Sequence, residues 1–371
     1  MNVAPQYKLR DMLVSAAAFV VIVAGMRAAA PFLTPLLLAI FISIIVTPLF
    51  FGLQRLGMRS GIALLVLVMA LAMILMLGTT VLLGSINAFS ENLTEYQAAL
   101  KSQLTAPIQW LAEKGIDAVD EFAEEYLTGR TALSVMRGTL GALTAILSQT
   151  FIVLLIVVFL LLEAALLPGK LRAAPGISAD TRDRLSQAVN SVRQYMGMKA
   201  LLSLATGLLV WITALVLGID YPVLLGVLAF LLNFIPNIGS IMAAIPGVLL
   251  ALVEFGPARA GWVAAVYLMI NVCIGNFLEP RIMGKGLGLS PMIIVVSLLL
   301  WGWVLGPIGM LLSVPLTMTV KVFMASLDET RGIAILMGSV VPEEPRDVSV
   351  VENGGTVSLG SPEPEDQVNN G

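Results

Sequence analysis

The chain of 371 residues has no histidine. That excludes imidazole zinc sites, Ser-His nucleophilic triads and histidine proton relays together. It has one cysteine, Cys273, inside an apolar run. No disulfide can form within the chain, and the thiol reads as a small buried side chain. Charged residues are only 12% of the sequence, against 58% hydrophobic ones. A soluble domain of this size does not carry that balance, whereas a polytopic membrane protein does. A nucleotide loop is also missing. Gly284-Lys285-Gly286-Leu287-Gly288 lacks the lysine–serine ending, and no strand pattern precedes it. Active transport, where present, would draw on an ion gradient. No cofactor, bound metal or nucleic-acid partner is expected.

Against this apolar background the expected fold is an all-α polytopic integral membrane protein. It has about six full spans plus two broken, re-entrant helical hairpins and an external amphipathic helical insertion. Apolar stretches mark spans near 13–30, 33–53, 61–86, 140–166, 201–217 and 260–278, with broken segments at 222–253 and 291–322. A span needs about 20 residues to cross ~30 Å of hydrocarbon. Lys8 and Arg10 ahead of the first run could suggest a signal peptide. Arg27, however, sits where a small neutral cleavage region belongs, so the first segment is expected to stay.

Charge sorting sets the expected orientation. Lys8 and Arg10, then Arg55 and Arg59, then the basic segment 167–199 read as cytoplasmic. The acidic segment 87–138 reads as external, with apolar residues from Phe89 to Leu111 at helical spacing. The basic helix 179–199 would rest on anionic lipid at the inner face. The domain plan is therefore 1–86 for the first three spans, 87–138 for the external helix and 139–340 for the core. Residues 341–371 would form a disordered acidic cytoplasmic tail. Both termini lie inside.

The two broken segments carry nearly the same phrase. Pro236-Asn237-Ile238-Gly239 is followed by Pro246, and Gly306-Pro307-Ile308-Gly309 by Pro315. Proline removes an amide donor and clashes one turn back, and glycine frees the backbone. Broken helices at membrane depth survive only in protein or beside a wet cavity. A matched pair in one chain points to a transporter site. Hairpins dipping in from opposite faces are the arrangement adopted. Single crossings are the alternative, and they would move Arg281 and Lys285 outside, against the positive-inside rule.

Polar groups inside the apolar segments are the candidate site. Asn233, Pro236, Asn237, Gly239 and Ser240 surround the first break, and Pro307 and Gly309 the second. An unwound tip would offer free carbonyls and amides to a solute, although the asparagines could equally cap their own helices. Asn271 and Asn276 lie on the span between, and Trp303 lies on the second broken segment. Glu279 is a candidate proton carrier, or else the partner of Arg281 or of a facing helix. Glu163 either snorkels or faces the same cavity.

Asn233-Phe234-Ile235-Pro236-Asn237-Ile238-Gly239, Asn276-Phe277-Leu278-Glu279-Pro280, Gly286-Leu287-Gly288-Leu289-Ser290-Pro291 and Trp301-Gly302-Trp303 through Pro315 together resemble the autoinducer-2 exporter family of bacterial permeases. The resemblance covers residues 10–340. It implies a bacterial inner-membrane transporter assembled as a homo-oligomer, a pentamer. Its partners would be the lipid bilayer and a small polar solute such as the quorum-sensing signal autoinducer-2. The family also suggests a monovalent cation (sodium)/proton antiporter. A passive channel or a non-transporting scaffold is the third reading.

Overall fold

The computed structural model describes residues 5–113, 130–173, 179–236, 238–283, 289–326 and 330–338. The acidic tail, the loop containing Lys285 and part of the external segment lie outside the described residues. Everything regular among the described residues is helical.

Helix α1 (Pro5–Ala28) and helix α2 (Ala30–Arg55) are separated by one residue, Ala29. Pro31 is tolerated there because first-turn amides lack helical partners anyway. Helix α3 (Ser60–Glu113) runs 54 residues without a break, so the third span and its outward extension are one rod. Helices α4 (Arg130–Ser148) and α5 (Thr150–Ala173) differ from the plain span expected at 140–166, because they meet at 50°. The cause is local. Ser148 Oγ donates to the Ala145 carbonyl, and the Gln149 amide reaches Ile146 three residues back. Such short-range bonding competes with the regular ladder.

Helix α6 (Ala179–Leu217) joins the basic segment and the fifth span in one piece. The chain then forms α7 (Pro222–Leu232), a turn, and α8 (Ile238–Phe255). Helix α9 (Pro257–Asn271) continues through a π-helical stretch (Val272–Leu278) into the short α10 (Glu279–Met283). Helix α11 (Pro291–Leu311) is interrupted at Gly306, and α12 (Ser313–Ser326) and α13 (Arg331–Leu336) close the chain.

Both broken segments double back. At the first, the Asp220 amide donates to the Glu254 carboxylate at 3.3 Å, so its two ends meet. At the second, the Ser290 amide donates to the Met337 carbonyl at 3.0 Å. Between them, Trp301 Nε1 donates to Thr317 Oγ1 at 2.9 Å. Sixteen residues of straight helix would separate that pair by ~24 Å. The hairpins also start from opposite ends of the bundle. The first opens beyond the end of α6, at Asp220. The second opens at Leu289, in the same buried cluster as Val192, Tyr195 and Met196 near the start of the α6 span. Their tips converge: Phe234 from the first shares that cluster with Trp301, Leu305 and Ile308 of the second.

Close backbone packing holds the first hairpin to α6. A Cβ on Gly207 would lie 2.7 Å from the Gly226 carbonyl oxygen, and one on Gly226 2.9 Å from that of Gly207. Small residues at such crossings let helices in lipid gain dispersion contact over a long seam. Many large apolar side chains face outward, among them Phe19, Met76, Phe151 and Trp262. Together with six helices among the described residues that are long and apolar enough to span a bilayer, this makes the chain a polytopic membrane protein.

Candidate functional site

The first tip is wound into tight turns. The amide of Ile235 donates to Leu232 at 2.8 Å and that of Ile238 to Pro236 at 2.6 Å. Pro236 is half-buried. Gly239 is buried against the Leu232 carbonyl, and a Cβ there would overlap that oxygen. Asn233 does not serve only its own helix, since its Nδ2 donates to Ser203 Oγ at 3.0 Å, across to α6. Ser240 is half-buried on the first turn of α8. Asn237 lies outside the described residues.

The second tip repeats the design. Gly306 has φ 70° and ψ −152°, backbone that an L side chain rarely adopts. Pro307 follows and has no amide to give to the preceding turn. Gly309 is buried against the Trp301 carbonyl, as Gly239 is against Leu232. Trp301 points inward to Thr317. Trp303 points outward, is 54% exposed and carries the Arg27 guanidinium 4.3 Å above its ring.

Glu279 is placed by the π-helical stretch that precedes it. Its carboxylate meets Lys199 Nζ at 2.8 and 3.0 Å, one contact per oxygen. Lys199 is 3% exposed, so the residue read as part of a cytoplasmic basic face is buried and paired. Of the alternatives for Glu279, a facing helix supplies the partner. Arg281 is exposed, as are Asn276 and Glu163, while Asn271 is half-buried.

The element that gathers these groups is α6. Tyr195, Lys199, Ser203 and Gly207 recur every four residues and so share one face. Tyr195 and Ser203 are buried, Lys199 holds Glu279, Ser203 holds Asn233, and Gly207 admits the α7 backbone. Sequence reasoning missed this stripe. Its signal was a polar or small residue at period four within an otherwise apolar run.

A cavity of about 180 Å³ lies at the second tip, apart from Asn233 and Glu279. Leu305, Pro307 and Ile308 form one wall, Thr34 of α2 and its neighbours another, and Gln149 at the α4–α5 bend a third. Of these, Pro307 alone was a candidate site residue from the sequence.

Outside the spans, Tyr96 of α3 reaches the entry of the first hairpin. Its hydroxyl lies 3.2 Å from Asp220 Oδ2 and 3.4 Å from the Tyr221 hydroxyl, and Asn92 Nδ2 donates to Tyr221 at 3.1 Å. Burial, then the contact with Tyr221, raises the Tyr96 pKa above the ordinary phenol value. Tyr221 has φ 57°, the left-handed region in a bulky residue.

Paired hairpins, inserted from opposite ends with their tips in one core, form the architecture of a multi-pass membrane transporter. Comparison with known proteins agrees. The AI-2E family transporter model matches residues 16–329. The chain is 38% identical over 325 residues to the AI-2 transport protein TqsA of Escherichia coli K12, covering 87% of this chain and 94% of that one. It is 36% identical over 340 residues to YhhT of the same organism, covering 90% and 95%. It is 32% identical over 339 residues to a Haemophilus influenzae protein, covering 90% and 97%. The names of the last two propose transport and give no substrate. The chain belongs to the AI-2E transporter family.

Proposed function

We propose that the protein is a secondary efflux carrier for a small polar metabolite in the bacterial inner membrane, with both termini cytoplasmic. The observation that carries the proposal is the convergence of two broken hairpins beside the polar stripe of α6. At the second tip Pro307 has no amide to give, so a carbonyl one turn back lacks its helical donor and can accept from a hydroxyl without a charged side chain. Asn233 on Ser203 holds the first tip to α6, Pro236, Gly239 and Ser240 shape it, and Asn237 is a candidate from the sequence alone. Pro307 and Gly309 shape the second, Asn271 is the half-buried candidate on the span between, and Asn276 and Trp303, which face outward, are candidates from the sequence alone. Autoinducer-2 is the first solute to test, because TqsA is named for its transport.

Glu279 bears on coupling. Lys199 occupies both carboxylate oxygens, so a bare sodium ion would have to displace an ammonium group. This weighs against direct sodium binding there, and Glu279, Arg281 and Glu163 are the candidates for ion or proton coupling. Assembly as a homo-oligomer, a pentamer, is part of the same proposal and rests on the sequence resemblance alone.

The test is flux from liposomes containing purified protein, with autoinducer-2, neutral polyols and sodium as probes, with and without a pH gradient. Saturable efflux of a neutral solute that a pH gradient accelerates is the expected result. Sodium flux alone, or linear unsaturated flux, would reject the carrier in favour of an antiporter or a channel.

A further inference from the structure

The mouth of the first hairpin contains a carboxylate that the transport reading does not assign. Glu254, one residue before the end of α8, is half-buried and accepts from the Asp220 amide at 3.3 Å. Asp220 brings a second carboxylate close enough for the two charges to act on each other. Among the described residues no lysine or arginine pairs with either. Arg259, at the start of α9, lies 4.7 Å above the Phe255 ring instead. Two such carboxylates repel when both are ionised, and a single proton on the pair removes the repulsion.

The same place has the backbone of a hinge. Both connections of the hairpin pass through left-handed torsions: Gly218 has φ 72° ahead of α7, and Gly256 has φ 82° behind α8. Glycine takes these torsions without a steric penalty and so can leave them again. Tyr221, with φ 57°, takes them against its own side chain. Strain of that kind persists only where the surroundings hold it, and it gathers at switch regions. Here α3 does the holding. Asn92 donates to the Tyr221 hydroxyl at 3.1 Å, the Phe89 ring meets the Tyr221 ring edge-on, and the Tyr96 hydroxyl lies 3.2 Å from Asp220. The α7 end of the hairpin is thus anchored to α3, and the α8 end meets that anchor through Glu254.

We infer that Asp220 and Glu254 form a proton-operated latch at the mouth of the first hairpin. With a proton on the pair the two ends of the hairpin stay together; with both carboxylates ionised the ends part, turning at Gly218 and Gly256. The inference rests on the carrier reading and adds a control on the opening of that mouth. The geometry also divides the roles. Asp220 accepts from the Tyr96 hydroxyl, a bond that favours its charged form, so Glu254 is the member that takes up and releases the proton. The other titratable groups facing the pair are Tyr96 and Tyr221, phenols of a kind that ordinarily ionises near pH 10.

Two measurements test the inference on full-length protein in liposomes. The first is labelling by a membrane-impermeant methanethiosulfonate reagent in a Cys273→Ala background. Ile219→Cys places a thiol at a buried position next to Asp220, and Ala258→Cys places one at an exposed position just past Gly256. The ratio of the two rates removes the thiol's own titration. Between pH 5.5 and 8.5 that ratio should rise about tenfold as the open form grows from a minor population. It should stay flat in Glu254→Gln and in Asp220→Asn, while Tyr96→Phe should raise it at every pH. The second is flux of autoinducer-2 and glycerol with pH equal on both sides, so that no gradient drives transport. For whichever probe wild type moves faster, Glu254→Gln should match wild type at pH 5.5 and fall several-fold below it at pH 8.5. A labelling ratio that rises alike with and without Glu254, or flux profiles that coincide, overturns the inference and leaves the carrier reading standing. Absence of wild-type flux for both probes overturns the carrier reading, and the labelling ratio still decides the latch.

Discussion

Replacing Glu279 with glutamine would leave the Lys199 ammonium buried without its carboxylate. Lys199 is 3% exposed, so water cannot take over the charge. Breaking a buried pair from one side costs about 3–5 kcal/mol, chiefly through the stranded ion. The reverse change, Lys199→Met, strands a carboxylate whose side chain is 24% exposed. That carboxylate keeps part of its hydration, so its loss should be smaller, about 1–3 kcal/mol. The double variant has no ion to strand and packs a thioether against an amide, so it should lie near wild type. The expected order of stability is wild type, then the double variant, then Lys199→Met, then Glu279→Gln. A double-mutant cycle on protein unfolded in mixed micelles measures this. Coupling of at least about 2 kcal/mol is expected, well beyond the ~0.3–0.5 kcal/mol scatter of independent sites. Single changes whose costs simply add would show that the pair contributes nothing at a buried position, and the reasoning would fail.

Three further predictions concern the hairpins. Thr317→Val should destabilise by about 1–3 kcal/mol, because the Trp301 indole N–H loses its acceptor inside the core; Thr317→Ser should restore most of this in the same unfolding assay. Gly239→Ala and Gly309→Ala should each sharply lower the yield of folded protein, since the added methyl overlaps a carbonyl oxygen, while Gly78→Ala, with open space around it, should be neutral by size-exclusion profile. The raised Tyr96 pKa makes a signed prediction. Its stabilising contribution is complete below the unfolded phenol value near 10 and declines as pH rises past it, because the unfolded chain ionises first. Thermal melts at pH 8 and pH 10.5 should therefore differ more for wild type than for Tyr96→Phe.

The hairpin tips were legible because proline and glycine act on their own backbone, so Pro236–Gly239 and Gly306–Gly309 announce a break without any knowledge of neighbours. Other features depended on packing. Lys199 and Glu279 are 80 residues apart, and a lysine at the edge of a basic run looks like any surface lysine until its partner is seen. Trp301 and Trp303 fall on opposite sides of one helix, and only Thr317 decides which of them faces inward. The bend at Gln149 was hidden because Ser148-Gln149-Thr150 is a short polar interruption inside a run apolar enough to pass as one span. The cavity it borders is assembled from α2, the α4–α5 bend and α11, and no local pattern encodes that meeting.

The uninterrupted length of α3 has a mechanical consequence. Its 54 residues span ~80 Å, so roughly 50 Å of the rod extends past one hydrophobic thickness. Tyr96 and Asn92 tie it to Asp220 and Tyr221 at the mouth of the first hairpin. From Tyr96 to Glu113 the arm is ~26 Å long, so a tilt of about 5° at that tie displaces its far end by ~2 Å. Small rearrangements deep in the bilayer are thus magnified into a swing outside it, where a spectroscopic probe on the distal turns could report each transport cycle.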